Sequence, residues 1–305
     1  MEFSILGPLE ATDDGASVDL AGGKQRALLA FLLLQAGRVV PMDSLVDGLW
    51  GEDVPESAPK MVQIFVSQLR KRLPRGLIQT RSPGYRLELE GHTLDLQVFE
   101  ELHARGREAL ADGRLDEAAR ELRGALDLWR GVPLAEFAEP FARLEEARLV
   151  EQQLTCLEER VDAELALGRE TELVAELEAL VRLHPLRERP RGQLMLALYR
   201  CGRHAEALEA FQRFRRTLDD ELGIDPPPRL KELQRRMLQQ DRSLDLVSTE
   251  HAPVPDRTPA AAASSPAPPM HAESRRPGAC WEPVRAPSRR GRATGPAAAS
   301  AVGAP

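Results

Sequence analysis

Residues 57–86 read SAPKMVQIFVSQLRKRLPRGLIQTRSPGYR and decide the fold of the N-terminal part of the chain. This stretch holds seven Lys or Arg residues and no Asp or Glu, although the whole chain carries a net charge of −7. A uniformly basic segment in an anionic protein indicates a local binding surface for a polyanion. The pattern inside the segment, a helix followed by a hairpin, indicates that this polyanion is a nucleic acid duplex.

The first half of the stretch predicts an amphipathic helix, which we name the reading helix. Ser57 is expected to cap it, and Pro59 fits its first turn. At helical spacing the apolar side chains share one stripe that faces a core: Val62, Phe65, Val66, Leu69 and Leu73. The opposite arc carries side chains that can bond base edges and phosphates: Lys60, Gln63, Ser67, Arg70 and Lys71. A solvated basic face on an ordinary helix is the alternative.

Beyond the reading helix the pattern changes from helical to extended. Two short strands, within residues 77–80 and 85–89, flank a Ser-Pro-Gly turn at 82–84, where the glycine is expected to take a positive φ. Arg81 and Arg86 stand on either side of this turn. A hairpin with basic tips after a helix with a polar face predicts the wing of a winged helix-turn-helix, with the two elements in adjacent grooves of one duplex. A purely structural hairpin is the other possibility.

The residues upstream complete a helix-turn-helix. A strongly apolar run at 28–33 predicts one helix, and residues 41–50 predict a shorter second helix before a long turn. Apolar residues at 3–6 and 18–20 predict strands around the Asp-Asp-Gly turn at 13–15. A small sheet, two helices, the reading helix and a wing together indicate a winged helix of the response-regulator type.

Four segments carry a family resemblance that covers residues 1 to about 90: MEFSILGPLEA, GGKQRALLAFLLLQAGRVVPMDSLVDGLWGED, APKMVQIFVSQLRKRLP and IQTRSPGYRLEL. They resemble the Streptomyces antibiotic regulatory protein family. In that family a winged helix binds direct repeats in promoters, and a helical bacterial transcriptional activation domain helps to recruit RNA polymerase. The resemblance implies two sets of DNA-binding residues. The major-groove set is Lys60, Gln63, Ser67, Arg70 and Lys71, with Arg72 in the same basic run, and the wing set is Arg81, Tyr85 and Arg86.

Residues from about 94 to 240 have an almost wholly helical pattern. They are also acidic, because residues 91–250 hold 24 basic and 33 acidic side chains. A glycine followed by core positions 5, 9 and 12 residues later recurs at Gly113, Gly168 and Gly202. The last two lie 34 residues apart, the tetratricopeptide period, whereas the 55-residue gap before them predicts an extra helix at about 141–165. Residues 185–233 again resemble the activation domain of the same family.

These patterns predict a mainly α protein in three parts. A winged helix-turn-helix with a small β-sheet spans residues 1–92, an all-α tetratricopeptide-like domain spans 93–247, and a tail spans 248–305. Residues 251–305 hold 11 of the 24 prolines and 15 alanines, a composition that predicts disorder. The tail is expected to be a solvated linker or end, with non-specific DNA contact as the alternative for Arg275, Arg276, Arg289, Arg290 and Arg292.

Other classes of function lack their sequence signals. The chain has no phosphate-binding P-loop, no serine nucleophile elbow and no zinc-protease histidine motif, so we expect no catalytic residue, cofactor or metal. The three cysteines are far apart, which argues against a disulfide framework. No apolar run reaches the roughly 18–20 residues of a membrane span, and the first residues lack a basic region followed by an apolar core, so we expect no secretion. We therefore expect no membrane partner and a cytoplasmic, nucleoid-associated location.

The leading hypothesis is a DNA-binding transcriptional activator rather than an enzyme. By resemblance it would bind direct repeats in double-stranded promoter DNA as a homodimer, contact RNA polymerase holoenzyme, and control antibiotic or other secondary-metabolite genes. The alternative is a helical-repeat scaffold for a peptide partner, with the basic element on RNA or a membrane surface. RNA binding usually interleaves aromatic with basic residues, and Tyr85 alone does not achieve that. A membrane surface would need the apolar stripe that the core uses.

Overall fold

The computed structural model describes residues 1–20 and 22–245, so the predicted tail lies outside the described residues. The strands are β1 (Glu2–Ser4), β2 (Glu10–Asp13), β3 (Ala16–Ser17), β4 (Val39–Pro41), β5 (Ile78–Arg81), β6 (Gly84–Leu87) and β7 (Thr93–Leu94). The helices are α1 (Gly23–Leu34), α2 (Met42–Trp50), α3 (Ala58–Leu69), α4 (Asp95–Ala111), α5 (Leu115–Leu126), α6 (Pro140–Ala166), α7 (Glu170–Leu183), α8 (Glu188–Arg200), α9 (His204–Leu222) and α10 (Pro228–Leu238). A short 3₁₀ helix follows at Arg242–Leu244.

The N-terminal sheet has four strands in the order β3-β2-β1-β7. Only the β1–β7 pair is parallel. Asp14 and Gly15 make the β2–β3 turn with φ values of 48° and 79°, which confirms the predicted turn. The strand predicted at 18–20 is wrong: the chain there runs without regular structure, although Leu20 is buried. β7 closes the sheet because the chain returns to it after the wing.

The three helices of the helix-turn-helix were predicted correctly in order and type. α1 is buried over most of its length because α2, α3 and β6 all pack against it. The second sheet has the order β4-β6-β5, and β4 was not foreseen. This strand also corrects the explanation for Gly84, which does not have a positive φ. A Cβ at Gly84 would lie 1.9 Å from the carbonyl oxygen of Val40, so the close approach of β4 to β6 requires glycine.

The reading helix, α3, is shorter than the predicted pattern. It ends at Leu69, and residues 70–73 form turns, although Leu73 stays buried. The early end is consistent with Pro74, because a residue before proline is disfavoured in helical conformation. The predicted cap is also wrong, since Ser57 makes no side-chain capping bond and its φ and ψ of −83° and 1° lie outside the extended region that a capping residue uses.

The C-terminal half consists of helical hairpins, as the glycine spacing predicted. Gly113, Gly168 and Gly202 join α4 to α5, α6 to α7 and α8 to α9, with φ values of 75°, 76° and 75°. The extra helix is the long α6. All nine predicted core positions of the repeats are buried: Ala118, Leu122, Ala125, Leu173, Leu177, Leu180, Ala207, Phe211 and Phe214.

The winged helix and the first helical hairpin share one hydrophobic core. This core continues from Phe3 through α1 and α3 into α5 and α6. Phe31 of α1 stacks on Phe141 of α6 with ring centroids 4.8 Å apart. The Asp95 carboxylate accepts the Ile5 and Leu6 backbone N–H groups at 2.9 Å, and burial raises the pKa of this carboxyl despite those bonds. The helical half therefore packs against α1 and α2, the two helices that support the reading helix.

Candidate nucleic-acid interface

The reading helix buries one face and exposes the other, as predicted. Val62, Val66 and Leu69 are at most 1% exposed because they pack into the core that includes α1 and α2. Lys60, Gln63 and Ser67 are exposed. Because these positions are spaced by three and four residues, they form one continuous polar surface along the helix. We name as the reading face the helical residues Lys60, Gln63, Ile64 and Ser67 together with Lys71, which is exposed in the turn just after the helix.

The polar members of the reading face have no partner within the described part of the chain. Lys60, Gln63, Ser67 and Lys71 make no side-chain hydrogen bond or ion pair there. This stretch therefore presents free donors and acceptors to solvent. Its chemistry suits an external polyanion, because amide and hydroxyl groups can bond base edges and ammonium groups can bond phosphates.

Arg70, which was predicted to lie in the major groove, is exposed but makes its contacts within the chain with the wing. Its Nε donates to the Ile78 carbonyl oxygen at 3.0 Å, and its Nη2 donates to Thr80 Oγ1 at 2.9 Å. The guanidinium also lies over the Tyr85 ring, 5.8 Å from its centroid. Arg70 follows the last residue of the reading helix, so its side chain reaches back to the wing rather than outward.

Tyr85, which was predicted as a DNA-binding residue of the wing, lies in the wing strand β6 and is buried there. It is only 7% exposed and belongs to the core. The reason is the position of β6 in the centre of the three-stranded sheet, where alternate side chains point to the buried face. Tyr85 and Leu87 take that face, while Arg86 between them takes the other and pairs with Glu88 at 2.7 Å.

The remaining predicted arginines stay near the surface with weak partners. Arg72 pairs with Asp19 at 2.9 Å, and both side chains are well exposed. Arg81 donates to Gln79 Oε1 at 2.9 Å and is exposed beside the turn of the wing. Exposed ion pairs contribute about 0–1 kcal/mol to stability. Phosphate groups can therefore replace such surface partners with little loss of free energy.

Ile64 is a member of the reading face that the sequence interpretation missed. It is 45% exposed and lies between Gln63 and Ser67 in sequence. Its spacing of four and three residues from Lys60 and Ser67 was the available signal. An apolar residue in a helix is ordinarily assigned to the core, and that assumption hid it.

No group of His, Cys, Asp and Glu residues at 1–20 and 22–245 could hold a metal ion. Cys156 and Cys201 are free thiols, and burial raises the pKa of Cys156 to about 12, which makes it unreactive. Cys280 lies outside the described range. Over the same residues, no helix combines the length and apolar character needed to span a bilayer.

Comparisons with known proteins match both halves of the chain. Residues 15–87 match the family model described as "Transcriptional regulatory protein, C terminal", and residues 94–238 match "Bacterial transcriptional activator domain". Regulatory protein AfsR of Streptomyces coelicolor is 45% identical over 83% of this chain, but the match spans only 26% of AfsR. Regulatory protein DnrI of Streptomyces peucetius is 39% identical over 80% of this chain and 94% of its own length.

A solved structure matches the fold as well. It is that of Mycobacterium tuberculosis EmbR in complex with a low-affinity phosphopeptide. The similarity has a TM-score of 0.76 and 40% sequence identity, and it covers 78% of this chain and 65% of the EmbR chain. The arrangement of a winged helix followed by helical hairpins is therefore shared with an experimentally determined relative.

Proposed function

The chain belongs to the Streptomyces antibiotic regulatory protein family of transcriptional regulators, and from that membership we propose that it activates transcription by binding specific DNA sequences. The observation that carries the proposal is the reading face, whose polar side chains lie outward and have no partner among the described residues. The basic segment at 57–86 in a chain of net charge −7 adds the electrostatic attraction that duplex DNA requires. The relatives are named as regulatory proteins and not as enzymes, which agrees with this proposal.

Within the proposed site, two groups of residues have different tasks. Gln63 and Ser67 read base edges in the major groove, while the flanking cations bond phosphates. The cations assigned to phosphates are Lys60, Lys71, Arg72, Arg81 and Arg86. Arg70 and Tyr85 hold the wing against the reading helix and do not contact bases, because their side chains are already engaged or buried.

The helical half of the proposed activator supplies a fixed platform. We propose a division at about residue 92, with residues 93–247 as the activation domain and a tail beyond it. The acidic surface of that domain contacts RNA polymerase holoenzyme, and two protomers bind direct repeats side by side in the cytoplasm. Antibiotic or other secondary-metabolite genes are the proposed targets. The support for these points is the family membership and the shared core that fixes the two halves.

The experiment starts from a random duplex library, because selection from such a library does not require the target promoter to be known. Repeated selection with the full chain should enrich one sequence, and an electrophoretic mobility titration should show saturable binding to it. A protomer that neutralises about five phosphates gives a slope of about −4 to −5 for log affinity against log salt. Lys60→Ala should reduce that slope by about 1 at every sequence, whereas Gln63→Ala should weaken the selected sequence by about 1–3 kcal/mol and relax its preference. Failure to enrich any sequence, or a flat salt titration, contradicts the proposal.

The helical-repeat scaffold is not favoured by the comparisons, because the relatives over both halves are transcriptional regulators. A reporter gene separates the two functions. If the selected sequence is placed as a direct repeat upstream of a weak promoter, an activator increases transcription, and Gln63→Ala should abolish the increase. A scaffold protein would leave the reporter unchanged.

A further inference from the structure

Ile64 is an apolar side chain that the fold leaves in water. Successive residues of a helix are about 100° apart, so Ile64 stands about 200° from Val62 and cannot join the buried stripe. Val62 is completely buried, whereas Ile64 is 45% exposed. Single exposed aliphatic residues are common on protein surfaces, so exposure alone assigns no role. Its position on the helix is the informative part.

The neighbours of Ile64 define what it meets when the helix is docked. Lys60 lies one turn before it and Ser67 almost one turn after it, at about 6 Å and 4.5 Å along the helix axis. Gln63 is adjacent. All three are exposed and free of intramolecular partners in the described chain. Ile64 therefore lies midway along the surface that carries the free polar side chains, at one edge of its arc.

We propose, on the basis of the function proposed above, that Ile64 recognises the 5-methyl group of a thymine in the major groove. That methyl group is the largest apolar feature that the bases present there, since cytosine has only a hydrogen atom at the same position and the other major-groove groups are donors or acceptors. A branched aliphatic side chain has nothing to bond with those donors and acceptors. It is desolvated favourably only against the methyl group.

Gln63 strengthens the assignment to an A·T pair. A glutamine side chain can form two hydrogen bonds to one adenine, donating to N7 and accepting from the N6 amino group. In duplex DNA that adenine is paired with thymine. Gln63 and Ile64 are consecutive, so they lie about 1.5 Å apart along the axis and about 100° apart around it, and can address adjacent base pairs. The two side chains together thus select A·T base pairs, since Gln63 recognises the adenine edge and Ile64 recognises the thymine methyl group.

The test removes the methyl group from the DNA. Each thymine of the selected duplex is replaced in turn by deoxyuridine, which keeps base pairing and loses only the 5-methyl group. Burial of one methyl-sized group corresponds to about a fourfold change in an equilibrium constant, so one substitution should weaken binding by about fourfold. Ile64→Ala should lose about the same factor on the unmodified duplex and show no further loss on the uracil duplex. Ile64→Val should keep part of the sensitivity.

Leu144→Ala is the matched control, because Leu144 is 74% exposed on the helical half. This variant should keep the affinity and the full uracil effect of the unmodified chain. The inference is overturned if no uracil substitution weakens binding. It is equally overturned if the affinity of Ile64→Ala still falls by the full factor when uracil replaces thymine. It is also overturned if Ile64→Ala changes only reporter activation, which would indicate a protein partner. Those results leave DNA binding itself intact, whereas failure to enrich any duplex removes the proposed function together with the inference.

Discussion

Arg70 donates a hydrogen bond from Nη2 to Oγ1 of Thr80 across 2.9 Å, which ties the end of the reading helix to the first strand of the wing. The same guanidinium bonds the Ile78 carbonyl oxygen and covers the Tyr85 ring. A winged helix contacts DNA through both elements, so their separation must match the spacing of the grooves. In this protein one arginine side chain sets part of that separation.

We expect Arg70→Ala to affect stability and DNA binding together. The variant loses two hydrogen bonds and a cation–π contact, so its free energy of unfolding should fall by about 1–2 kcal/mol. Affinity for the selected duplex should fall as well, because the wing is no longer held in place. Chemical denaturation and a binding titration measure the two effects.

Lys71→Ala is the control for this prediction, because Lys71 is adjacent and makes no bond within the described chain. It should weaken DNA binding and reduce the salt slope by about 1, with the unfolding free energy unchanged. If Arg70→Ala instead behaves like Lys71→Ala, Arg70 contacts DNA directly, as its position in the basic segment first suggested.

Gly84→Ala should be strongly destabilising. The added Cβ would meet the Val40 carbonyl oxygen at 1.9 Å, so β4 must move away from β6 and break their pairing. Overpacking of this kind costs about 3 kcal/mol. Gly23→Ala is the control, because no atom lies within 4 Å of the corresponding Cβ position, and its unfolding free energy should change by no more than about 0.5 kcal/mol. Equal stability of the two variants would contradict this account of Gly84.

Local periodicity predicted most of the fold, because helices and their turns depend on nearby residues. The stripe of Val62 and Val66, the repeated glycines and the extra helix α6 were all visible at fixed spacings. The strand β4 was not, since three residues have too little pattern to reveal a partner more than forty positions away. The contact between Arg70 and Tyr85 was not predicted either, because it depends on the pairing of the wing strands, which brings the two side chains together.

Stability should decrease in mild acid partly through His184. Burial, followed by the nearby charge of Arg187, lowers the pKa of this histidine below its ordinary value of 6.5. The unfolded chain therefore binds the proton more readily than the folded chain, and stability is lost as the pH falls from 6.5 through the lowered pKa. His184→Gln removes this contribution. Between about pH 7.5 and about pH 5.5 the parent chain should lose more unfolding free energy than the variant, and equal losses would rule out a role for His184.

The contact between Glu136 and the winged helix should be worth more than an ordinary surface ion pair. Glu136 lies in the loop between α5 and α6, and it accepts the Leu9 backbone N–H at 2.6 Å as well as the Arg26 side chain at 2.9 Å. Glu136→Ala leaves that backbone donor without its acceptor, so we expect a loss of about 2 kcal/mol in unfolding free energy.

Arg26→Ala and the double variant complete a thermodynamic cycle for this contact. Because both side chains are about 30% exposed, the coupling energy of the ion pair alone should be only about 0.5–1 kcal/mol. The remainder of the Glu136 effect then belongs to the Leu9 bond. Glu10→Ala, which breaks the more exposed pair with Arg130, should have a smaller effect. If Glu136→Ala is no more destabilising than Glu10→Ala, the two halves of the protein are held together by apolar packing such as that of Phe31 on Phe141 rather than by this loop.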